Sequence, residues 1–84
     1  MPPIRILTIE DDAAIRRGIV DALRFAGYQP LEASSASEGR MAATRREYEL
    51  LLLDLVLPGG DGLELLRELR DEIERERDAL SGTP

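Results

Sequence analysis

Leu50-Leu51-Leu52-Leu53-Asp54-Leu55-Val56-Leu57, followed at once by Pro58-Gly59-Gly60-Asp61-Gly62, is the stretch that decides the fold. A continuous apolar run of strand length, closed by proline and glycine, reads as a strand buried on both faces. That is the pattern of a parallel sheet with helices above and below. Asp54 stands out within it. A carboxylate in an apolar strand is expensive unless something pairs with it, so it signals either a structural partner or a site at the strand's end. Asp61 reads as a turn residue.

Working upstream, Ile4-Arg5-Ile6-Leu7-Thr8-Ile9 is a second β-branched, apolar run, and it stops at Glu10, Asp11 and Asp12. Asp12 suits the N-cap of a helix, where a carboxylate accepts from free backbone N–H groups. Ile15, Ile19, Ala22, Leu23 and Ala26 then recur at helical spacing, with Arg16, Arg17, Asp21 and Arg24 expected on the opposite side and Gly27 as the left-handed stop. Tyr28 to Ala33 is short and extended, and Pro30 within it makes it an edge strand. Ser35 with Glu38 fits a capping box for a helix from Ala36 to about Arg46, its close-packing face made of Ala36, Gly39, Ala42 and Ala43.

Downstream, Leu63, Leu66, Leu69, Arg70 and Ile73 restart helical spacing, and the pattern can persist to Leu80. Asp71 with Arg75 would support its exposed face. Ser81-Gly82-Thr83-Pro84 reads as a turn. The order is βαβαβα, which calls for a parallel sheet with right-handed crossovers and a single domain over residues 1–84.

Composition narrows the function classes. The chain has 84 residues, 11 basic and 17 acidic, for a net charge of −6. All the basic residues are arginines scattered among acids, so this segment presents no basic stripe for a phosphate backbone. Cysteine and histidine are absent, which excludes disulfides, thiolate or imidazole metal sites and a histidine general base. No apolar stretch approaches the roughly 18–20 residues of a membrane span, and no secretory leader is expected ahead of the first strand. A cytoplasmic location is the expectation.

The ends of two strands carry the chemistry. Ligands of open parallel sheets bind at the carboxyl ends of the strands, near the switch in strand order. If the first and third strands are neighbours, Glu10, Asp11 and Asp54 converge there. Two such charges about 5 Å apart repel by roughly 3 kcal/mol at an effective dielectric of 20. An all-oxygen donor set of that kind suits Mg2+. Taken alone, three acids ahead of a helix also serve as caps and dipole partners, and that alternative stays open.

Ile-Leu-Thr-Ile-Glu-Asp-Asp (residues 6–12) and Leu-Leu-Asp-Leu-Val-Leu-Pro-Gly-Gly-Asp-Gly-Leu (residues 52–63), about 43 residues apart, resemble the two signature segments of response-regulator receiver domains. The resemblance runs from Ile4 to about Arg70. It implies a flavodoxin-like doubly wound parallel sheet, of which this chain offers strands 2-1-3 of the expected 2-1-3-4-5. It also implies that Asp54 is the phosphoacceptor and that Glu10, Asp11, Asp54 and the backbone carbonyl of Val56 hold Mg2+. Pro58 and Gly59 would shape the active-site loop. The implied partners are a sensor histidine kinase and an output domain or downstream protein. The Leu-Pro-Gly-Gly-Asp-Gly segment looks most like receivers joined to winged-helix transcription factors. The Ser or Thr and the Lys that the family places after its fourth and fifth strands have no counterpart in this chain.

Three expectations account for the shorter pattern. The chain is a fragment of a longer receiver, or it completes its sheet through a homodimer along the open third-strand edge, or it is a shortened receiver kept as a binding surface. A different class of function, an interaction module without phosphoryl chemistry, would leave partner binding and oligomeric state untouched by Asp54→Asn. A phosphatase of the haloacid-dehalogenase type is excluded because Val56 stands where that chemistry needs a second aspartate. No enzymatic turnover is expected, only slow loss of the protein's own phosphoryl group.

Overall fold

The apolar β-branched run after the N-terminus forms β1 (Arg5–Ile9), the middle strand of a three-stranded parallel sheet ordered β2-β1-β3. In the computed structural model residues 2–54 and 62–80 are described. The elements after β1 are α1 (Ala13–Phe25), β2 (Gln29–Ala33), α2 (Ala36–Thr44), β3 (Leu50–Leu53) and α3 (Gly62–Leu80). This is the βαβαβα order and the 2-1-3 arrangement of a flavodoxin-like sheet. Residues 55–57 of the expected third strand and the turn expected at Ser81–Pro84 lie outside the described residues.

Local chemistry starts and stops the helices as the residue types dictate. The Asp12 carboxylate accepts from the Ile15 N–H at 3.0 Å, capping α1. Gly27 beyond the helix has φ +94°, a conformation that glycine adopts without a Cβ penalty. Ser35 Oγ accepts from the Glu38 N–H at 3.1 Å at the start of α2. The Glu38 carboxylate turns to the backbone N–H and hydroxyl of Ser34. The stop of α2 was not legible: the helix ends at Thr44, and Arg46, a residue with a Cβ, takes the left-handed conformation at φ 56°.

The larger cluster of buried residues lies on one side of the sheet. Leu7 and Ile9 of β1 and Ala33 of β2 meet Ala36 and Ala43 of α2 and Leu65 and Leu69 of α3, with Leu51 and Leu53 of β3 packed against them. Gly39 lets α2 come close, since a Cβ there would lie 2.5 Å from Ile9 Cδ1. The small face expected of α2 is the face it buries.

On the other side α1 packs over β1 and β2, and three expectations are corrected there and on α3. First, β3 is not buried on both faces: Leu50 is 51% exposed and Leu52 36%. Their register partners are Ile6 and Thr8, so they point to the α1 side. Because α1 sits over β1 and β2, no described element covers β3 there. Second, the buried line of α1 is Val20, flanked by half-buried Arg16, Ile19 and Leu23, while Ile15, Ala22 and Ala26 are exposed. The aliphatic stem of an arginine can cover apolar surface while its head stays polar, which apolar periodicity does not register. Third, α3 buries Leu65 and Leu69, whereas Leu63, Leu66 and Ile73 are 38–46% exposed. Leu66, Leu69, Ile73, Tyr48 and Leu51 line a groove of about 400 Å³ along β3.

The charges of α3 reach back to α2 and the turn after it, with Arg40 Nε 2.7 Å from Glu68 and Arg46 3.1 Å from Glu76. At the opposite end of the sheet Arg5 Nη2 meets Glu49 at 2.8 Å, joining the starts of β1 and β3. These pairs are solvent-exposed, so each contributes less than about 1 kcal/mol. No helix among the described residues is long and apolar enough to cross a membrane.

Candidate functional site

Parallel pairing places Ile9 opposite Leu53, so the next residues, Glu10 and Asp54, leave the sheet side by side at its carboxyl end. The backbone fixes both. The Asp54 N–H donates to the Ile9 carbonyl at 3.0 Å, and the Glu10 N–H donates to the Ala33 carbonyl at 3.1 Å. Asp11 follows at the turn into α1. One carboxylate oxygen from each of Glu10, Asp11 and Asp54 lies within 4.8 Å of the others. The three acids singled out in the sequence are therefore one cluster. Glu10 and Asp54 are half-buried and Asp11 is exposed. Val56, Pro58, Gly59 and Asp61 lie outside the described residues.

The cluster disturbs the titration of Glu10. The Asp12 N–H donates to Glu10 Oε2 at 3.1 Å and by itself pulls the Glu10 carboxyl down. Partial desolvation, hydrogen bonding with the Asp11 and Asp54 carboxyls and the Asp54 charge outweigh it, so Glu10 titrates above the ordinary glutamate value. Opposed carboxylates hold a proton more tightly for this reason. A hard cation would relieve the same repulsion, and an all-carboxylate set beside solvent is what Mg2+ accepts.

Sequence reasoning missed two neighbours of the cluster. Arg16 Nη1 donates to the Glu10 carbonyl at 2.8 Å, and its Nε donates to Glu32 of β2 at 3.3 Å. Thr8 is 1% exposed, and its hydroxyl has no hydrogen-bond partner among the described residues. Thr8, Ile19, Leu52, Glu10 and Asp54 border a cleft of about 290 Å³ between α1 and β3. A threonine in a strand carries no sequence signal for such a place, since β-branching alone explains it.

A parallel 2-1-3 sheet with three acids at the ends of its central and third strands defines a class. The family model for the response regulator receiver domain matches residues 6–77, and the chain belongs to that family. It is similar to the phosphate regulon transcriptional regulatory protein PhoB of Pseudomonas aeruginosa, 45% identical over 69 residues, covering 81% of this chain and 30% of that protein. It is also similar to the KDP operon transcriptional regulatory protein KdpE of Escherichia coli, 43% identical over 65 residues, covering 77% of this chain and 29% of that protein. Among solved structures it resembles the response regulator protein TrrA of Thermotoga maritima in complex with Mg2+-BeF. There the TM-score is 0.79 and the identity 32%, over 82% of this chain and 60% of that one. The chain thus spans about 30% of the length of the curated relatives. That those two are transcriptional regulators agrees with the likeness of its signature segments to receivers of transcription factors.

Proposed function

We propose that this chain is the phosphoacceptor segment of a two-component response regulator, taking a phosphoryl group from a sensor histidine kinase onto Asp54. The observation that carries the reading is the convergence of Glu10, Asp11 and Asp54 within 4.8 Å at the carboxyl end of the sheet, in a chain of the receiver family. Glu10, Asp11 and Asp54 would hold Mg2+, joined by the backbone carbonyl of Val56, with Pro58 and Gly59 shaping the loop beside it. When bound, the ion supplies neutralisation of charge on the phosphoryl oxygens.

The chain's own part is positional. The backbone bond from Asp54 to Ile9 sets the carboxylate at the strand end, facing solvent enough to meet a donor. An Asp54 oxygen attacks phosphorus in line, an O–P bond forms, and the P–N bond of phosphohistidine breaks with its electron pair left on the imidazole. The product is an acyl phosphate, and its slow hydrolysis is the only turnover expected. An output domain, transcriptional as in the curated relatives, would read the phosphorylated state.

The test is 19F NMR of the chain with Mg2+ and beryllofluoride, a mimic of the acyl phosphate. Bound fluorine resonances that vanish in Asp54→Asn and on chelation support the reading. Their absence from the native chain under saturating conditions contradicts it.

A second copy of the chain is a further proposed partner. The outer edge of β3 has no strand against it among the described residues, and exposed apolar side chains flank it on both faces. Such an edge is a template for pairing. Sedimentation of a concentration-dependent dimer supports this partner, and a monomer at all concentrations excludes it.

A further inference from the structure

Arg16 is tied to the acidic cluster in a way that neither amphipathicity nor charge pairing requires. It leaves α1 on the sheet side, half-buried, and its Nη1 donates to the backbone carbonyl of Glu10 at 2.8 Å. Its Nε is held 3.3 Å from Glu32 Oε1, on the neighbouring strand β2. One guanidinium therefore joins the first turn of α1, the end of β1 and the edge strand. The carbonyl it grips belongs to the residue whose carboxylate meets Asp54, one residue before Asp11.

We propose that Arg16 is a positioning residue of the acidic site. Its two bonds fix the Glu10–Asp11 turn so that both carboxylates point at Asp54 before any cation arrives. The inference rests on the metal reading above and adds to it the residue that preorganises the ligands. One observation favours position over charge: the bond that reaches the cluster goes to a backbone carbonyl and not to a carboxylate. A planar, multi-donor head suits this double task better than an ammonium. Groups that orient metal ligands typically contribute 10–100-fold to metal affinity.

The experiment compares Arg16→Met, which keeps the stem and removes the donors, with Arg16→Lys, which keeps one donor at similar reach. Mg2+ affinity is read by NMR titration of the folded chain. Amide order parameters of Asp11 and Asp12 are measured without metal. The expected result is Mg2+ binding about 10-fold weaker in Arg16→Met, recovered to within about 3-fold in Arg16→Lys. In the metal-free Met variant the Asp11 and Asp12 order parameters should fall toward the flexible range, below about 0.6, with Val20 unchanged. A Met variant that melts lower yet binds Mg2+ as tightly, with its turn as rigid as before, would show a merely structural arginine and overturn the proposal. If the native chain binds no Mg2+, the metal reading fails. The metal-free order parameters then still decide whether Arg16 holds the turn.

Discussion

Gly39→Ala should destabilise the chain, although it replaces a poor helix former with the best one. Gly39 sits buried in α2, directly over Ile9 of β1. A Cβ built there lies 2.5 Å from Ile9 Cδ1 and 3.1 Å from both Cγ1 and Cγ2. The terminal methyl could swing aside on an open surface, but Ile9 is 1% exposed within the main cluster. Overpacking of this kind costs about 1–3 kcal/mol, while alanine in place of glycine returns up to about 1 kcal/mol in helix propensity. With a midpoint cost of about 2 kcal/mol and a return of about 1, the net loss is about 1 kcal/mol, or roughly 4–8 °C in Tm for a domain of this size. Gly18, in α1, is the control, because nothing lies within 4 Å of its Cβ position. There the same substitution should stabilise by about 0.5–1 kcal/mol. Urea unfolding followed by circular dichroism reads both. Ile9→Val, which removes the crowding methyl, should cost less in the Gly39→Ala background than alone. A Gly39→Ala chain as stable as the parent would refute the close approach of α2 to β1.

Other outcomes follow from the same geometry. Because the folded chain raises the Glu10 carboxyl above its ordinary value, the stability tied to neutral Glu10 is full below about pH 4 and is lost as the pH climbs through that raised value. Metal-free Glu10→Gln should therefore gain on the parent as pH rises toward neutrality, which unfolding midpoints across pH would show; parallel curves would contradict it. Thr8→Val should raise stability by about 1 kcal/mol by removing a buried hydroxyl that lacks a partner among the described residues, and a lower urea midpoint would mean the hydroxyl is bonded in solution. Leu52→Lys puts a charge beside the β3 edge at a position already 36% exposed. It should leave the monomer folded and abolish any dimer in sedimentation, a standard way of blunting an open edge.

Much of this architecture was legible because local signals agreed with the global pattern. The acid-terminated β1 run, Asp12, Gly27, Ser35 and the small face of α2 each mark a boundary or a contact by its own chemistry, and each lies where that chemistry predicts. The convergence of Glu10, Asp11 and Asp54 hung on the first and third strands being neighbours, an order that the receiver resemblance implied and the sheet shows. What could not be read was how far each helix turns about its axis. Leucines at 63, 65, 66 and 69 offer α3 more than one apolar line, and packing on the core selects Leu65 and Leu69. Arg16 was placed on the solvent side because periodicity counts side chains as polar or apolar and a long arginine is both. The four leucines of β3 looked buried on both faces because apolarity alone does not say where a neighbouring helix stops covering the sheet.

The central claim, that Asp54 accepts a phosphoryl group with the help of Glu10 and Asp11, is tested most directly by intact mass after incubation with acetyl phosphate and Mg2+. The account predicts a gain of about 80 Da, one phosphoryl group, absent from Asp54→Asn and from samples treated with chelator. A chain that binds Mg2+ yet gains no mass, or one that gains the same mass in Asp54→Asn, would contradict it.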